Sequence, residues 1–583
     1  MTPWLIMGAV GGAVGLGGLV WLAGRIAAVL SGHGWSTGPE FGKAFLADLI
    51  AGHTATLWPG VPVPLVVAVG AVLLTALITI VVVVWRQIAR RLPTPGDGEA
   101  ALARPRDIAR LTPAGSAASA RRLRPDLAAV PAKELKADDT GILLGALSRF
   151  GVPIRASWED ACLVFMGPRT GKTTSLATPI VLAAPGPVVA TSNRSDLLLT
   201  TMAARGRRPD STVWVFDPQA VAFMPRTWWW NPLQGISTVE DAERLASHFV
   251  LTVNDEKSRD IWGPGASELL SALILAAALS GKTLADVYQW LTDDTPEPVE
   301  ILEARPEFGA VAAGLRGTQH LAWETKTGIY GTARIGARCL RNPAIMAWVT
   351  PPRRGNIPQF NPWKFVTSPH DTLYLLSKDS GGSAAPLVAA LTDAVMRTAT
   401  RHAEVQGGRL SVPIVLVLDE AGNICKIADL PAQYSHLGGR GIIPICVLQN
   451  YAQGVGVWGE TGMKALWSAA TIKLVGAGTD DERFGETVSR LIGDHDVTVA
   501  SLSRGQRGEV TESVSLRKER KLTPAQIREL ETFTSLLLAT GCMAAKLKLL
   551  PWQTGPNAQQ ITADVAAATS DLKERAQLAF PQD

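Results

Sequence analysis

The segment from Ala161 to Thr174 constrains the fold of this chain more than any other. It begins with six apolar residues, Ala161–Met166, and continues as a glycine-rich turn that ends in Lys172 and Thr173. A buried strand, such a turn and Lys-Thr at the start of a helix form the context of a phosphate-binding loop, where backbone N–H groups and the helix N-terminus hold phosphate. The predicted ATP-binding residues are Gly167, Pro168, Arg169, Thr170, Gly171, Lys172, Thr173 and Thr174.

The spacing of this loop departs from the usual G-x-x-x-x-G-K-[ST] pattern. Only three residues separate Gly167 from Gly171, and Met166 stands where the first glycine is expected. Either the loop is one residue tighter, or Met166 takes the first position in a backbone conformation that tolerates a side chain. In both cases we expect Lys172 to reach the β and γ phosphates of ATP and the Thr173 hydroxyl to bind Mg²⁺.

A second segment is predicted to complete the same site. The apolar run Pro413–Leu418 ends in two acidic residues, Asp419 and Glu420. A strand that is buried on both faces of a parallel sheet is a continuous apolar run, and ligands bind at the carboxyl end of such strands. We therefore expect Asp419 to hold Mg²⁺ and Glu420 to act as the catalytic residue that polarises the attacking water.

A third apolar run, Gly441–Leu448, ends in Gln449. An amide at the tip of a strand beside the acidic strand suits a sensor of the γ phosphate, so Gln449 is a further candidate catalytic residue. Arg440 directly precedes this strand. It is either an arginine finger that acts on the neighbouring subunit of a ring or an ordinary surface residue.

The first 85 residues contain two long apolar runs, Trp4–Gly24 and Val61–Trp85. Each provides the roughly 20 residues needed to cross a hydrocarbon core. A cleaved signal peptide is the alternative for the first run, but that run lacks a basic n-region and exceeds the usual length. Basic residues concentrate after the second run, which places the bulk of the chain in the cytoplasm and the short connecting loop outside. These residues include Arg86, Arg90, Arg91, Arg104, Arg106 and Arg110.

Composition narrows the remaining classes of protein. The mean hydropathy of +0.15 agrees with membrane segments, and the apolar share of 47% excludes disorder as the main state. Five scattered cysteines without a C-x-x-C pair exclude a disulfide scaffold and cysteine-type zinc sites. The net charge of +4 is too small to identify a nucleic-acid partner by itself.

Further motifs follow in order along the chain. They are Val188–Asp196, Val213–Pro218, Trp230–Leu233, Leu418–Ile424, Ser435–Ile442 and Leu448–Asn450. With the phosphate loop and the two apolar runs, they resemble the TraG/TraD-like type IV secretion coupling proteins, and the later motifs resemble the TraM-recognition region of that family. The variant loop resembles the actinobacterial branch.

The resemblance implies a membrane-anchored, RecA-like ATPase that forms a homohexamer. Such a protein uses ATP and Mg²⁺ to pass relaxase-bound DNA into a type IV secretion channel. The implied partners are DNA and the relaxase of the relaxosome, components of the channel and the membrane. The implied location is the bacterial inner membrane, with more than one span and most of the chain in the cytoplasm.

The predicted fold class is α/β, with a three-layer, mostly parallel RecA-like P-loop NTPase core, an inserted all-α domain and two N-terminal transmembrane helices. About 245 residues separate the loop from Asp419, more than a plain core needs, and the intervening sequence has helical spacing. The predicted domains are a membrane anchor (1–85), a basic linker (86–137), the first part of the NTPase domain (138–236), the inserted helical domain (237–346), the second part of the NTPase domain (347–555) and a C-terminal tail (556–583).

Two other functions are compatible with these features. One is a docking receptor that binds nucleotide without motor activity, although a decayed site would be expected to lose some of the residues retained here. The other is an FtsK-type translocase or an ESX-type secretion ATPase. The former usually has more spans and a winged-helix reader, and the latter has tandem ATPase domains.

Overall fold

The computed structural model describes residues 3–89, 98–131, 133–251, 262–293, 295–379, 382–504 and 510–580. The chain divides into two compact units, Met1–Pro95 and Gly96–Asp583.

The first unit is helical and contains both predicted apolar runs. Its helices are α1 (Pro3–Leu30), α2 (Lys43–Ala51), α3 (Thr54–Leu57) and α4 (Val63–Ala89). Gly24 lets α1 approach the Trp58 indole so closely that an added Cβ would lie 1.9 Å from its Nε1. Arg25 is buried and donates to the backbone carbonyls of Gly38 and Pro39, so it holds the loop after α1 in place.

Helix α4 presents apolar side chains outward along its length. Within Val63–Val84 only 6% of the residues are buried, although the stretch is long and apolar enough to cross a membrane. Such exposure of valine and isoleucine is unfavourable in water and favourable in lipid.

The second unit is built on one large sheet. Its strands are β1 (Ile142–Leu147), β2 (Pro153–Ala156), β3 (Cys162–Phe165), β4 (Val188–Ser192), β5 (Val213–Phe216), β6 (Thr372–Leu376), β7 (Ile414–Leu418), β8 (Ile442–Leu448), β9 (Ile472–Gly476), β12 (Thr534–Ala539) and β13 (Ala545–Lys548). They lie in the order β2-β1-β13-β12-β9-β3-β8-β7-β4-β6-β5. The seven strands from β9 to β5 are parallel, and the four at the other edge are antiparallel.

The parallel strands are buried on both faces, as their uninterrupted apolar sequences predict. In β3, Leu163 and Phe165 point into one hydrophobic core, whereas Cys162 and Val164 point into the other. Helices cover both faces of the sheet. The predicted three-layer α/β class with a mostly parallel sheet is therefore confirmed.

The helices of the second unit are given in chain order. They are α5 (Pro113–Leu123), α6 (Thr178–Ala183), α7 (Asp196–Gly206), α8 (Val239–Val250), α9 (Trp262–Leu279), α10 (Leu284–Asp293), α11 (Glu297–Glu303), α12 (Gly309–Gln319), α13 (Trp323–Gly336), α14 (Pro343–Trp348), α15 (Pro362–Val366), α16 (Ala385–Val405), α17 (Ala421–Ile424), α18 (Leu430–Leu437), α19 (Tyr451–Ala469), α20 (Glu482–Ile492), α21 (Pro524–Arg528) and α22 (Ala558–Ala579).

Between β5 and β6 the described residues form the helices α8 to α15 and no strand. Helix α9 also has the length and composition of a membrane span, but more than half of it is buried. Its residues from Ala266 to Ala277 belong to the hydrophobic core shared with the sheet, so α9 is a core helix.

An ionic network joins these helices to the sheet domain. Arg397 on α16 donates to Asp241 of α8 at 2.7 Å and lies 3.6 Å from Asp393. Asp393 is buried and also lies 3.5 Å from the ring of His248 on α8. Burial raises the pKa of Asp393, but His248 and Arg397 outweigh it, and the net pKa is lowered.

A separate two-stranded sheet follows α20. It consists of β10 (Asp494–Arg504) and β11 (Val510–Arg520), paired antiparallel. Thr523 then caps α21 through a capping box with Gln526. The predicted C-terminal tail contains α22, which is tied to α7 by the Arg207–Asp564 ion pair.

The structure describes the predicted basic linker, which stays a prediction, from Gly98 onward. Residues 98–131 form short helices, and Ile108 and Leu111 are completely buried against the sheet. Arg110 donates to the buried Asp160 at 3.1 Å, and Arg124 donates to Asp126 at 2.6 Å. The apolar residues between the arginines pack onto the core, and several arginines pair with carboxylates of the second unit. Residues 90–97 and 132 of the predicted linker lie outside the described residues.

Candidate functional site

Four neighbouring parallel strands end at one edge of the sheet, and three of them carry predicted site residues there. Gly167 follows β3, Gln449 follows β8, and Asp419 and Glu420 follow β7, whereas β4 is followed by Asn193, which the sequence did not indicate. The carboxyl ends of adjacent parallel strands are where α/β proteins bind ligands. The sheet order therefore brings together segments that are far apart in the chain.

The phosphate loop begins at Met166, which continues β3. Its amide donates to the Leu448 carbonyl at 3.0 Å and its side chain is buried. Met166 is thus paired with β8 like a strand residue, and both interpretations of the loop spacing stay predictions. Gly167 then passes so close to Gly478 that an added Cβ would lie 2.7 Å from its carbonyl oxygen. Gly171 has φ +89° and faces the Phe533 ring at similarly short range.

Lys172 and Thr173 point from the loop to the two acidic residues. Lys172 Nζ pairs with Glu420 Oε1, and Thr173 Oγ1 donates to Asp419 Oδ2 at 3.3 Å. A helix starts here with a π-helical turn, Thr173–Ala177, that runs into α6. The positively charged loop and the acidic strand end thus face each other directly.

Asp419 has the features of a cation ligand. It is buried, and burial together with the charges of Glu420 and Asp196 raises its pKa to about 6, in spite of the opposing effect of Lys172. Its Oδ1 is buried and finds no hydrogen-bond partner among the described residues. A carboxylate oxygen and a hydroxyl are ligands that Mg²⁺ prefers. The donor set of Thr173 and Asp419 therefore fits Mg²⁺.

Glu420 is held in a restrained conformation. Its backbone is left-handed, with φ +56°, although it has a side chain. Oε2 accepts from Gln449 Nε2 at 2.9 Å and from Asn423 Nδ2 at 3.0 Å. Because Oε1 faces Lys172, both oxygens of the carboxylate have defined partners.

A cavity of about 450 Å³ lies over these groups. Cations on its wall come from Arg169, Lys172 and Arg194, and Phe533 closes one side. The carboxylates of Asp196, Asp419 and Glu420 line the remainder. The mixture of cations, backbone amides and carboxylates suits a phosphate ligand that carries a divalent ion.

The structure brings together Lys172, Thr173, Asp419, Glu420 and Gln449, but not Arg440. Arg440 precedes β8, at the opposite end of that strand from Gln449. Within its own chain it lies 3.8 Å from Glu404. A role toward a neighbouring subunit stays a prediction.

Sequence reasoning assigned no role to several residues at the site. Asn423 is one helical turn after Glu420, and Gln453 follows the helix cap Asn450, so their spacing from recognised residues was a usable signal. Phe533 lies more than 100 residues after Glu420 and outside every recognised motif. Only the pairing of the last strands with the sheet places Phe533 beside the phosphate loop.

Comparison with known proteins identifies part of the chain. Residues 413–532 match a family model described as the TraM recognition site of TraD and TraG. This segment contains Asp419, Glu420, Gln449 and the β10–β11 hairpin. No curated protein matches the sequence.

Solved structures of a bacterial conjugative coupling protein, TrwBΔN70, are similar in fold. The unbound monoclinic form is 20% identical, covers 70% of this chain and 88% of its own, and has a TM-score of 0.52. The complex of TrwB with the non-hydrolysable ATP analogue ADPNP is 20% identical, covers 67% and 86%, and has a TM-score of 0.50. The likeness shows a shared fold, in agreement with the α/β class predicted from the sequence. The likeness to the actinobacterial branch stays a prediction.

Proposed function

We propose that this TraG/TraD-like chain is a membrane-anchored coupling ATPase, which recruits a relaxase–DNA complex and drives the DNA into a type IV secretion channel. The fold and the TraM-recognition match supply the family context, and α4 supplies a candidate membrane anchor. The observation that carries the proposal is the meeting of Lys172 and Thr173 with Glu420 and Asp419, across 248 and 246 residues of chain.

Each of the proposed site residues has its own role in ATP hydrolysis. The backbone amides of residues 167–174 and the Lys172 ammonium bind the phosphates, and Thr173 and Asp419 hold Mg²⁺. Bound Mg²⁺ would neutralise negative charge on the phosphate oxygens. Glu420 orients a water molecule and accepts its proton, while Gln449 contacts the γ phosphate.

The contact between Lys172 and Glu420 has a consequence for this division of roles. In the structure the lysine that would bind phosphate neutralises the carboxylate that would activate water. When Lys172 exchanges Glu420 for phosphate oxygens, the carboxylate loses its cationic partner. The Oε1 atom of Glu420 is then free to contact a water molecule only when nucleotide is in place.

The β10–β11 hairpin is the proposed contact with DNA. Near its base Arg517 and Lys518 are exposed, and Leu516 is 72% exposed. In a homohexamer six copies of these cations would face the phosphate backbone together, which would make binding strongly salt-dependent. Arg440 remains the proposed arginine finger between subunits.

Steady-state ATP hydrolysis by the full chain in detergent, with and without DNA, tests the proposal. We expect DNA to stimulate turnover in the wild type, and we expect Lys172→Ala and Glu420→Gln each to lower kcat by about 100-fold or more. Lys464→Ala and Glu460→Gln are matched controls, because both side chains are largely exposed and form only a long pair at 3.9 Å. These controls should retain wild-type turnover.

Two results would contradict the proposal in different ways. Binding of ATP without turnover, unaffected by DNA, would favour a docking receptor. Absence of nucleotide binding would mean that the loop with Met166 at its first position does not hold phosphate.

A further inference from the structure

The second oxygen of the Glu420 carboxylate is held by two side-chain amides. Oε2 accepts from Asn423 Nδ2 at 3.0 Å and from Gln449 Nε2 at 2.9 Å. An ionised carboxylate only accepts hydrogen bonds. Both amides must therefore present their NH₂ groups to Glu420, and the Asn423 oxygen must point away from it.

Gln453 connects these two amide residues to each other. Its Nε2 donates to Asn423 Oδ1 at 2.7 Å, and its Oε1 accepts from the backbone N–H of Gln449 at 2.9 Å. Glu420, Asn423, Gln453 and Gln449 thus form a closed hydrogen-bonded ring. Each donor and acceptor in this ring is fixed by the orientation of its neighbour.

Contacts within α19 and with α17 fix the position of Gln453. Its backbone N–H donates to the Asn450 cap of α19 at 2.8 Å. Its side chain lies against Gly422 of α17, where an added Cβ would be 2.6 Å from Gln453 Cγ. The hydrogen bonds of the Gln453 side chain go to Asn423 and to the backbone of Gln449. Gln453 therefore reaches Glu420 through these two residues.

We propose that Gln453 is a positioning residue for ATP hydrolysis, acting on Glu420 through Asn423 and on Gln449 through its backbone. This inference rests on the proposed function. The ring makes the water-activating carboxylate and the phosphate-sensing amide one mechanical unit. A shift of Gln449 on contact with phosphate is passed to Glu420 both directly and through Gln453 and Asn423.

The variant Gln453→Glu tests the ring with little change in shape. A carboxylate can still accept from the Gln449 N–H but cannot donate to Asn423. The Asn423 amide then turns its NH₂ toward residue 453 and its oxygen toward Glu420. We expect kcat to fall about 10- to 100-fold, as is typical when an outer partner that orients a reacting group is lost.

The measurements are made on the full chain in detergent, with ATP and Mg²⁺ and with DNA. KM and the Kd for a fluorescent ATP analogue should stay within about twofold of wild type, because the phosphate-binding groups are untouched. Gln559→Glu is the matched control, since it makes the same change on an exposed position of α22. It should keep wild-type kcat.

A double-mutant cycle separates positioning from general stabilisation. If Asn423 and Gln453 act as one unit, the double variant Asn423→Ala/Gln453→Ala should lower kcat no more than the single variant with the larger effect. The inference would be overturned if the losses in kcat of the two single variants multiply in the double variant, or if the Kd for nucleotide rises as much as kcat falls.

A wild-type kcat in Gln453→Glu would also overturn the inference but leave the proposed function intact. Absence of turnover in the wild type would instead contradict the proposed function itself.

Discussion

At the scale of single residues, the candidate site contains three residues with side chains in left-handed backbone. Arg169 has φ +61°, Glu420 has φ +56° and Phe533 has φ +63°. Such conformations cost L-residues about 1–2 kcal/mol each, and they persist where the surrounding structure imposes them. All three residues line the same cavity, so backbone strain is concentrated at the candidate site.

Replacement of Arg169 tests whether its left-handed backbone lowers stability and whether its side chain contributes to nucleotide binding. We expect Arg169→Gly to raise the free energy of unfolding by up to about 1 kcal/mol. Glycine removes the backbone strain, but its greater conformational entropy in the unfolded chain offsets part of that stabilisation. The same variant should bind ATP more weakly, because a cation of the cavity is lost. Chemical denaturation and nucleotide titration measure the two effects.

Arg169→Val is the comparison variant. It removes the same cation but places a β-branched residue in left-handed backbone, so we expect it to lower stability by about 1 kcal/mol or more. Equal stabilities of the glycine and valine variants would contradict the strain argument.

At the scale of secondary-structure elements, an ion cluster anchors the base of the β10–β11 hairpin to α20. Arg520 of β11 donates to both oxygens of Glu486 on α20, at 2.6 and 2.8 Å. Arg490 donates to the same carboxylate at 2.9 Å. The hydrogen bonds from Arg520, followed by those from Arg490, lower the pKa of Glu486 to about 2.

This anchor predicts a specific pH dependence. A carboxyl group with a lowered pKa stabilises the folded state above its ordinary pKa, near 4.5, and this contribution is lost as the pH falls toward 2. We expect Glu486→Gln to unfold at a lower temperature than wild type at pH 7. The difference should narrow below pH 4.5. Glu482→Gln, on the exposed face of the same helix, should show no such difference.

At the scale of the whole molecule, the sequence predicted the parts of the fold that consist of continuous apolar strands with polar tips. The strands β3, β7 and β8 and the residues Asp419 and Glu420 were predictable because each depends on a local pattern. The antiparallel edge was not predictable, because it joins β1 to β13 from opposite ends of the second unit. Phe533 and the ring through Gln453 depend on that long-range pairing or on side-chain directions, which a linear pattern does not contain.

The predicted membrane topology can be tested by cysteine labelling in intact cells. Ser36 is exposed in the loop after α1, and Ser570 is exposed on α22. We expect Ser36→Cys to react with an impermeant maleimide from outside, and Ser570→Cys to react only after permeabilisation. Four of the five native thiols are buried, which keeps the background low. Labelling of Ser570→Cys in intact cells would show that the predicted orientation is wrong.

The pairing of β12 with β9 and of β13 with β1 also determines when the large sheet can be completed during synthesis. The ribosome delivers β1 and the phosphate loop early, but β12 and β13 emerge only after every other strand of the large sheet. Until then β9 keeps one edge unpaired, and Phe533 has not reached Gly171. A chain released before β12 would have a phosphate loop that lacks Phe533 beside it. It would also have an unpaired strand edge, which promotes aggregation or proteolysis. The cavity at the phosphate loop is therefore complete only after the strands that follow β9 have been synthesised and paired.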